Sequence, residues 1–134
     1  MSDNDRRARG EATFKAVYAG DVIVAPPGYD FSDIMLETLF AEIWTRDTLS
    51  MRDKRILLLG MIAAQGEADT FKIQTKAGIK NGELSAEDVR DIHIFVAQYC
   101  GYPKAAKLLF PMEEGIAEGL ADLKKANEGD GAEA

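Results

Sequence analysis

The sequence contains almost no cysteine and almost no histidine. Cys100 is the one cysteine in 134 residues, and His93 is the one histidine. A single cysteine excludes an internal disulfide, a CxxC redox pair and a thiolate-rich zinc site. Because nitrogen and sulfur ligands are so few, and no carboxylate spacing is typical of a metal centre, we expect no metal site.

The sequence also lacks an excess of positive charge and any long apolar run. Its formal net charge is −7 and its pI is about 4.7. Nucleic-acid binding needs a concentrated basic surface, so we expect no nucleic-acid partner, although a small organic anion could still find a local cationic pocket. The longest apolar run, residues 56–64, is much shorter than the roughly 20 residues of a membrane span. No apolar segment of a signal peptide follows the charged N-terminus, so we expect a cytoplasmic protein without membrane contact.

What the sequence does contain is helical periodicity over nearly its whole length. Hydrophobic residues make up 46% and charged residues 29%, which is typical of a globular protein. Apolar positions recur every three or four residues, and no segment alternates for long with the period of a strand. We therefore predict an all-α, single-domain bundle of about six helices. Residues 1–30 are predicted as an N-terminal helix and loop, 31–125 as the helical domain, and 126–134 as a disordered acidic tail.

Local signals indicate where several of these helices begin and end. Ser85 and Asp88 have the spacing of a capping box, and the pair Asn81 and Gly82 is typical of a left-handed helix stop. Pro111 is predicted to break or kink the sixth helix, because proline removes a helical hydrogen bond.

One amide stands out on the fourth predicted helix, in the stretch FKIQTKAGIKNG. Gln74 shares a helix face with Phe71 and Ala77, and that face is otherwise apolar. Gln74 is interpreted either as a core amide with internal hydrogen bonds or as a donor that points to a carbonyl group in a pocket. The spacing by itself leaves both interpretations open.

His93 and Cys100 are further candidates for chemistry, both on the fifth predicted helix. His93 lies at the edge of the apolar face, where it is either a hydrogen-bonded structural residue or a general acid or base. Cys100 has no second cysteine to pair with, so we interpret it as a small buried apolar residue.

A charged cluster occupies the predicted junction between the second and third helices, in the stretch FAEIWTRDTLSMRDKR. Such a cluster is usually a solvated face. Glu42, however, lies between apolar residues, and a carboxyl drawn in among them could carry a proton. Arg46 or Arg52 could bind a substrate carboxylate through two nitrogens.

The order of the motifs along the chain indicates a family. Three segments carry the signal: FAEIWTRDTLSMRDKRILLLGMIAAQG, FKIQTKAGIKNGELSAEDVRDI and VAQYCGYPKAA. Together they resemble the carboxymuconolactone decarboxylase family, within the alkylhydroperoxidase D-like superfamily. The resemblance rests on F-x-E-x-W-x-R, an arginine-bearing helix start, a long apolar helix that ends at glycine, A-x-x-N-G and Y-x-G-x-P.

This resemblance implies an all-α bundle that assembles into trimers or hexamers and decarboxylates its substrate without a cofactor. The prototype acts on a carboxylated lactone in aromatic catabolism, and loss of CO₂ leaves negative charge that spreads onto the lactone carbonyl. That reaction needs hydrogen-bond donors at the carbonyl oxygen, a cation for the remaining carboxylate and a source of protons. The peroxidase branch of the superfamily has a CxxC motif on the helix that corresponds to the fourth here, and this sequence has no cysteine there.

The resemblance also implies roles for individual residues. Glu42 is the expected proton carrier, and Gln74 orients a substrate carbonyl. His93 stays a catalytic candidate on its helix position alone, because a histidine position that is common in the family is Phe95 here. The implied substrate-binding residues are Trp44, Arg46, Arg52, Phe71 and Tyr99. Family members often have histidine where this sequence has Gln74, and an amide cannot shuttle a proton near neutral pH. The second hypothesis is therefore a non-catalytic oligomer of the same fold that binds a small acid or a partner.

Overall fold

A computed structural model describes the backbone of residues 3–133 and the side chains of residues 5–129. Within that range the regular structure is entirely helical, and the all-α prediction is confirmed. A π-helical segment, Met35–Ile43, continues directly from α2. The α-helices are α1 Asp3–Val17, α2 Asp30–Ile34, α3 Met51–Gln65, α4 Ala68–Lys80, α5 Ala86–Cys100, α6 Tyr102–Ala106 and α7 Leu109–Glu133.

The chain divides into two compact units, Met1–Met51 and Arg52–Ala134. The predicted boundary after residue 30 stays a prediction, and it lies inside the first unit. In that unit the guanidinium of Arg7, on α1, donates to the Asp33 carboxylate of α2 and to Ala25 O at 2.6 Å. Asp33 also accepts a hydrogen bond from the backbone N–H of Gly28 at 3.1 Å. The proline-containing loop is therefore held against both α1 and α2.

The π-helical segment forms the middle of the predicted second helix. One of its hydrogen bonds runs from the Trp44 N–H to Leu39 O, five residues back, at 2.9 Å. Phe40 and Trp44 lie on its buried side, with ring centroids 6.4 Å apart and ring planes 6° from parallel. Such segments are rare and are often found at functional sites. Glu42 lies between these two aromatic residues in sequence and on the exposed side of the segment.

The core of the second unit is built by α3, α4, α5 and α7 together with Leu84 and Leu108. Its buried apolar residues are Leu59, Ile62, Ala63, Phe71, Ile79, Leu84, Val89, Leu108, Met112 and Ile116. Burial of a large apolar side chain contributes about 1.5–3 kcal/mol. Close packing of α7 on α4 requires a glycine, because a Cβ atom at Gly115 would lie only 2.8 Å from Lys72 O.

Lysines at every fourth position of α4 pair with carboxylates of α7. Lys72 Nζ lies 2.9 Å from Glu118 Oε2, and Lys80 Nζ lies 3.3 Å from Asp122 Oδ2. Lys76 Nζ lies 3.7 Å from Glu118 Oε1 and 3.6 Å from Asp122 Oδ2. The hydrogen bond with Lys72 lowers the pKa of Glu118, and the hydrogen bond with Lys80 lowers that of Asp122. Solvated pairs like these add little stability, so we infer that they mainly align the two helices.

The structure confirms the predicted helix ends, one of them displaced by about one turn. Asp88 N donates to Ser85 Oγ at 3.1 Å and Ser85 N donates to Asp88 Oδ2 at 2.9 Å, so the capping box is confirmed. Gly82 has a φ of 71°, which confirms the left-handed stop after α4. The predicted break of the sixth helix near Pro111 is also present, one turn earlier than expected: α6 ends at Ala106, α7 begins at Leu109, and Pro111 lies in the first turn of α7. Backbone N–H groups in a first turn have no acceptor within the helix, so proline costs little there.

The last helix extends beyond the predicted end of the helical domain. α7 runs through Glu133, so residues 126–133 are helical where the sequence predicted a disordered tail, and residue 134 lies outside the described residues. Lys124 and Glu128, four residues apart, approach to 4.0 Å, a pairing that gives a helix slight support. In the described part of the chain, no helix is long and apolar enough to cross a membrane.

Candidate functional site

Gln74 is a buried amide whose oxygen is held by a buried arginine. Gln74 lies on α4 and is 2% exposed, while Arg55 lies on α3 and is 0% exposed. Nη1 of Arg55 donates a short hydrogen bond to Oε1 of Gln74. A guanidinium has donors only, so the amide oxygen must face Arg55 and the Nε2 amino group must face the other way. The two sequence interpretations therefore apply to different ends of one side chain: the oxygen is satisfied internally, and the amino group is the end that could donate to a ligand.

Glu83 balances the charge of Arg55. Nε of Arg55 lies 2.8 Å from Glu83 Oε1, and Nη2 lies 3.2 Å from Oε2, so two nitrogens bind two carboxylate oxygens. Glu83 lies in the turn between α4 and α5, and its side chain is 8% exposed. Buried charges are stable only when they are paired and hydrogen-bonded, and the two-pronged geometry is the strong form of such pairing. This pair anchors Arg55 beside Gln74.

Phe71 and His93 lie together in the same unit, with ring centroids 6.4 Å apart. Phe71 is fully buried and belongs to the hydrophobic core. His93 is half-buried on α5, and its Nε2 lies 2.7 Å from Ala105 O on α6. Because a carbonyl oxygen only accepts hydrogen bonds, Nε2 carries the proton in this contact. His93 thus links α5 to α6, and Nδ1 is the atom through which its neutral ring could accept a proton.

Arg52 and Tyr99 lie on the surface of the second unit. Arg52 Nε donates to Glu83 O at 3.1 Å, and its Nη2 lies 3.6 Å from Asp88 Oδ2. Arg52 therefore braces the same turn that carries the Glu83 side chain.

Tyr99 is exposed, and so is Cys100, for which the sequence predicted burial. The prediction for Cys100 is wrong because it is the last residue of α5, beyond the part of that helix that packs on the core.

Glu42, Trp44 and Arg46 belong to the first unit. Glu42 is exposed, and its Oε1 lies 2.8 Å from Nη2 of Arg6, so the expectation that its carboxyl is drawn in among apolar residues is wrong. The reason is helix geometry: Glu42 is two residues from both Phe40 and Trp44, about 200° around a helix, so it lies opposite the face that these two rings bury. Trp44 is buried and Arg46 is exposed.

An open apolar groove of about 330 Å³ lies between α3 and α5 of the second unit. Its lining residues are Ile56, Gly60, Asp91, Ile92, Phe95 and Val96. None of the predicted site residues is among them, so the groove is separate from the Gln74 site.

Residues 29–114 match the model of the carboxymuconolactone decarboxylase family. The chain belongs to this family. The match confirms the resemblance that the sequence motifs indicated, and it spans every predicted site residue from Glu42 to Tyr99. It also includes Arg55 and Glu83, the two residues that hold the amide of Gln74.

One curated relative of this carboxymuconolactone decarboxylase family member is the nitrosuccinic acid decarboxylase of Metarhizium robertsii. The two sequences are 25% identical over 84 residues, which cover 63% of this chain and 58% of the relative. The chain therefore spans only somewhat more than half of that relative. Family and relative together support a decarboxylase-like protein.

Arg55 is the site residue that sequence reasoning missed in this family member. The sequence placed it in a solvated charge cluster, whereas the structure buries it completely. The buried positions of α3 are Arg55, Leu59, Ile62 and Ala63. They are separated by four, seven and eight residues from Arg55, which is the spacing of one helix face. That spacing is the signal in the sequence that identifies Arg55 as buried.

Proposed function

We propose that this chain is a cofactor-free carbon–carbon lyase of the carboxymuconolactone decarboxylase type. Its proposed substrate is a small carboxylated lactone, keto acid or related acid in aromatic-compound catabolism. Family membership and the decarboxylase relative support the reaction class. The observation that carries the proposal is the fixed amide of Gln74, whose oxygen is held by Arg55 and whose amino group can donate a hydrogen bond to a substrate oxygen.

The chemistry explains why such a donor is needed. When CO₂ leaves, the electron pair of the broken bond stays on the substrate and moves onto a neighbouring acceptor, usually a carbonyl oxygen. A donor that already points at that oxygen stabilises the developing negative charge without reorganising during the reaction. Gln74 is well suited to this because its oxygen end is held by Arg55, so its amino end has a fixed direction.

The relative's name indicates a first compound to assay. Nitrosuccinic acid carries a nitro group on the carbon next to a carboxylate, so a nitro oxygen takes the place that the carbonyl oxygen has in a β-keto acid. Loss of CO₂ moves the electron pair onto the nitro oxygen in the first compound and onto the carbonyl oxygen in the second. Either oxygen could then accept a hydrogen bond from the Gln74 amide. We therefore propose an assay panel of nitrosuccinic acid, a β-keto acid and a carboxylated lactone.

A second function is favoured by the same residues. An amide carries no proton near neutral pH, and the Nε2 proton of His93 is engaged by Ala105 O. These observations favour a non-catalytic protein that binds a small acid through Gln74. The two functions predict the same binding and differ in turnover.

The experiment measures CO₂ release from the panel by the purified full chain, with calorimetric binding of the same compounds. Gln74→Glu keeps an oxygen toward Arg55 but replaces the amino group by a second, negatively charged oxygen. We expect this variant to lose turnover by roughly 10²–10³-fold, the effect of removing one donor from a developing oxyanion. The matched control is Gln98→Glu on α5, where an exposed glutamine bonds Ile94 O and Tyr102 Oη, and we expect unchanged turnover there.

The outcomes separate the two functions. Turnover by the wild type that is lost only in Gln74→Glu supports the lyase. Binding without turnover, weakened only in Gln74→Glu, supports the binding protein. Equal turnover by wild type and Gln74→Glu contradicts the role of the amide in both.

Assembly into trimers or hexamers, which the family resemblance implies, is proposed with either function. Light scattering on the purified chain measures the mass directly, and a monomer at assay concentration contradicts it.

A further inference from the structure

The side chain of Gln74 has two ends of nearly equal shape and opposite hydrogen-bonding character. Its carbonyl end accepts hydrogen bonds and its amino end donates them. Rotation by half a turn about the last side-chain bond would exchange the two ends. The direction of the amide therefore decides whether a ligand meets a donor or an acceptor.

Arg55 removes that ambiguity. Its Nη1 donates to Oε1 of Gln74, and a flipped amide would place an amino group against a guanidinium, donor against donor. Both residues are excluded from solvent, so water cannot relieve such a clash. Because the site is buried, the orientation with Oε1 toward Arg55 has a lower free energy than the flipped orientation.

Glu83 keeps Arg55 in the position where it does this. The carboxylate binds Nε and Nη2 at 2.8 and 3.2 Å, and these two contacts fix the plane of the guanidinium. Nη1 lies in the same plane, at the edge that Glu83 does not bind, and donates to Gln74. The turn that carries Glu83 is itself braced by Arg52, whose Nε donates to Glu83 O at 3.1 Å.

We propose that Arg55, anchored by Glu83, is the positioning residue that sets the polarity of Gln74 and restricts the site to substrates with an acceptor oxygen. This inference rests on the proposed function, in which Gln74 meets the ligand. Arg55 acts on the ligand through Gln74, and Glu83 offsets its charge. The arrangement also explains why an amide suits position 74. A histidine there would have to stay neutral and turn a lone pair toward Arg55, which would prevent it from carrying a proton on that nitrogen.

The first test is a double-mutant cycle in the full chain. The variant Arg55→Met with Glu83→Leu removes both charges together, so no buried charge is left unpaired. With the panel compound that the wild type decarboxylates, we expect kcat to fall roughly tenfold, the equivalent of one misplaced hydrogen bond. In a Gln74→Leu background the same pair of substitutions is expected to have no further effect, because there is no amide left to orient.

A matched control uses the other two-pronged arginine–glutamate pair of the second unit. Arg90 binds Glu113 through Nε and Nη2, both at 2.9 Å, on the surface. Arg90→Met with Glu113→Leu should leave kcat and KM unchanged. Thermal melting of every variant reports whether it is folded.

The second test needs no substrate and therefore separates this inference from the proposed function. A hydrogen bond from a charged donor to an amide oxygen strengthens the C–N double-bond character, so it slows rotation of the amino group. In ¹⁵N-resolved exchange spectra we expect the two Nε2 protons of Gln74 to interchange more slowly than those of exposed Gln98, and the difference to vanish in Arg55→Met with Glu83→Leu. Equal interchange rates in the wild type and the variant overturn the inference. It is also overturned if Arg55→Met with Glu83→Leu lowers kcat as much in the Gln74→Leu background as it does when Gln74 is present. If no panel compound turns over, the proposed lyase fails, and the amide exchange rates still decide the positioning role.

Discussion

Gln74 Oε1 and Arg55 Nη1 form a hydrogen bond that joins α4 to α3 across 19 residues of sequence, and both side chains are buried. This bond explains how one polar residue lies on an otherwise apolar helix face without an unsatisfied oxygen. It also ties the candidate site to the Arg55–Glu83 pair, so the same three side chains carry the proposed function and affect the stability of the second unit.

Removing Arg55 alone should strongly destabilise the second unit. Arg55→Met leaves the Glu83 carboxylate nearly buried and without its partner, so we expect the free energy of unfolding to fall by about 3–5 kcal/mol. Adding Glu83→Leu should recover most of that loss, because no unpaired charge then remains. Urea denaturation of the full chain measures both. An Arg55→Met variant as stable as the wild type would show that the buried pair contributes no net stability.

His93 offers a test that separates structure from catalysis. Glutamine can place its Nε2 amino group where the imidazole Nε2 lies, so His93→Gln should keep the hydrogen bond to Ala105 O and the melting temperature. His93→Leu leaves that carbonyl without a donor and should lose about 1–3 kcal/mol of stability. Turnover by the folded His93→Gln variant then depends on proton transfer alone. Retained turnover assigns His93 to structure, and lost turnover assigns it to the catalytic role that the sequence predicted.

The role of Glu42 as proton carrier stays a prediction, and its carboxylate lies outside the apolar layer. Glu42→Gln should lower turnover by about 10²-fold, the usual contribution of a general acid or base, because glutamine cannot transfer a proton. Stability should change little, since the pair with Arg6 is partly solvated, with the Glu42 side chain 47% exposed. Glu37→Gln on the same π-helical segment is the control. Full turnover by Glu42→Gln excludes Glu42 as the proton carrier.

The pairs between α4 and α7 should make a small part of the stability sensitive to acid. The pKa values of Glu118 and Asp122 are lowered from ordinary values of 4.5 and 3.8 by hydrogen bonds from Lys72 and Lys80. A lowered carboxyl pKa contributes stability that is complete above the ordinary pKa and is lost as pH falls through the lowered one. The melting temperature should therefore stay nearly constant from pH 7 to 5 and drop below about pH 4.

Two measurements check that assignment. Glu118→Gln should show a smaller drop below pH 4 than the wild type, because one of the paired carboxylates no longer titrates. High salt should also reduce the contribution, since the pairs are solvated and screened. The lysine partner titrates at high pH. The hydrogen bond with Glu118 raises the pKa of Lys72 above 10.5, so the contribution of Lys72 to stability is lost only at strongly alkaline pH. If the melting temperature falls equally below pH 4 in Glu118→Gln and in the wild type, titration of Glu118 is not the cause of the acid sensitivity.

The sequence predicted the local parts of this protein well, because they depend on neighbours along the chain. The capping box of Ser85 with Asp88 spans one helical turn, and the stop at Gly82 needs only a residue that accepts a positive φ. The family resemblance also rests on local motifs, and the family match confirms it. Helical periodicity was sufficient to predict the all-α class, because it too depends on residues that are close together in the sequence.

Glu42 and the π-helical segment show two different limits of the sequence interpretation. Glu42 is two residues from both Phe40 and Trp44, about 200° around a helix, so the spacing itself indicates the exposed side that the structure shows. The π geometry of residues 35–43 was not predicted, because the apolar positions of this segment fit α-helical spacing equally well.

The sequence by itself determined the helical class, several helix ends, the family and the position of Gln74 on an apolar face. Only the tertiary structure decided how that amide is oriented. Its orientation depends on Arg55, 19 residues away, and Arg55 depends on Glu83, 28 residues further along. A buried guanidinium must be paired wherever the fold brings a carboxylate within reach, and that meeting is a property of packing rather than of sequence spacing.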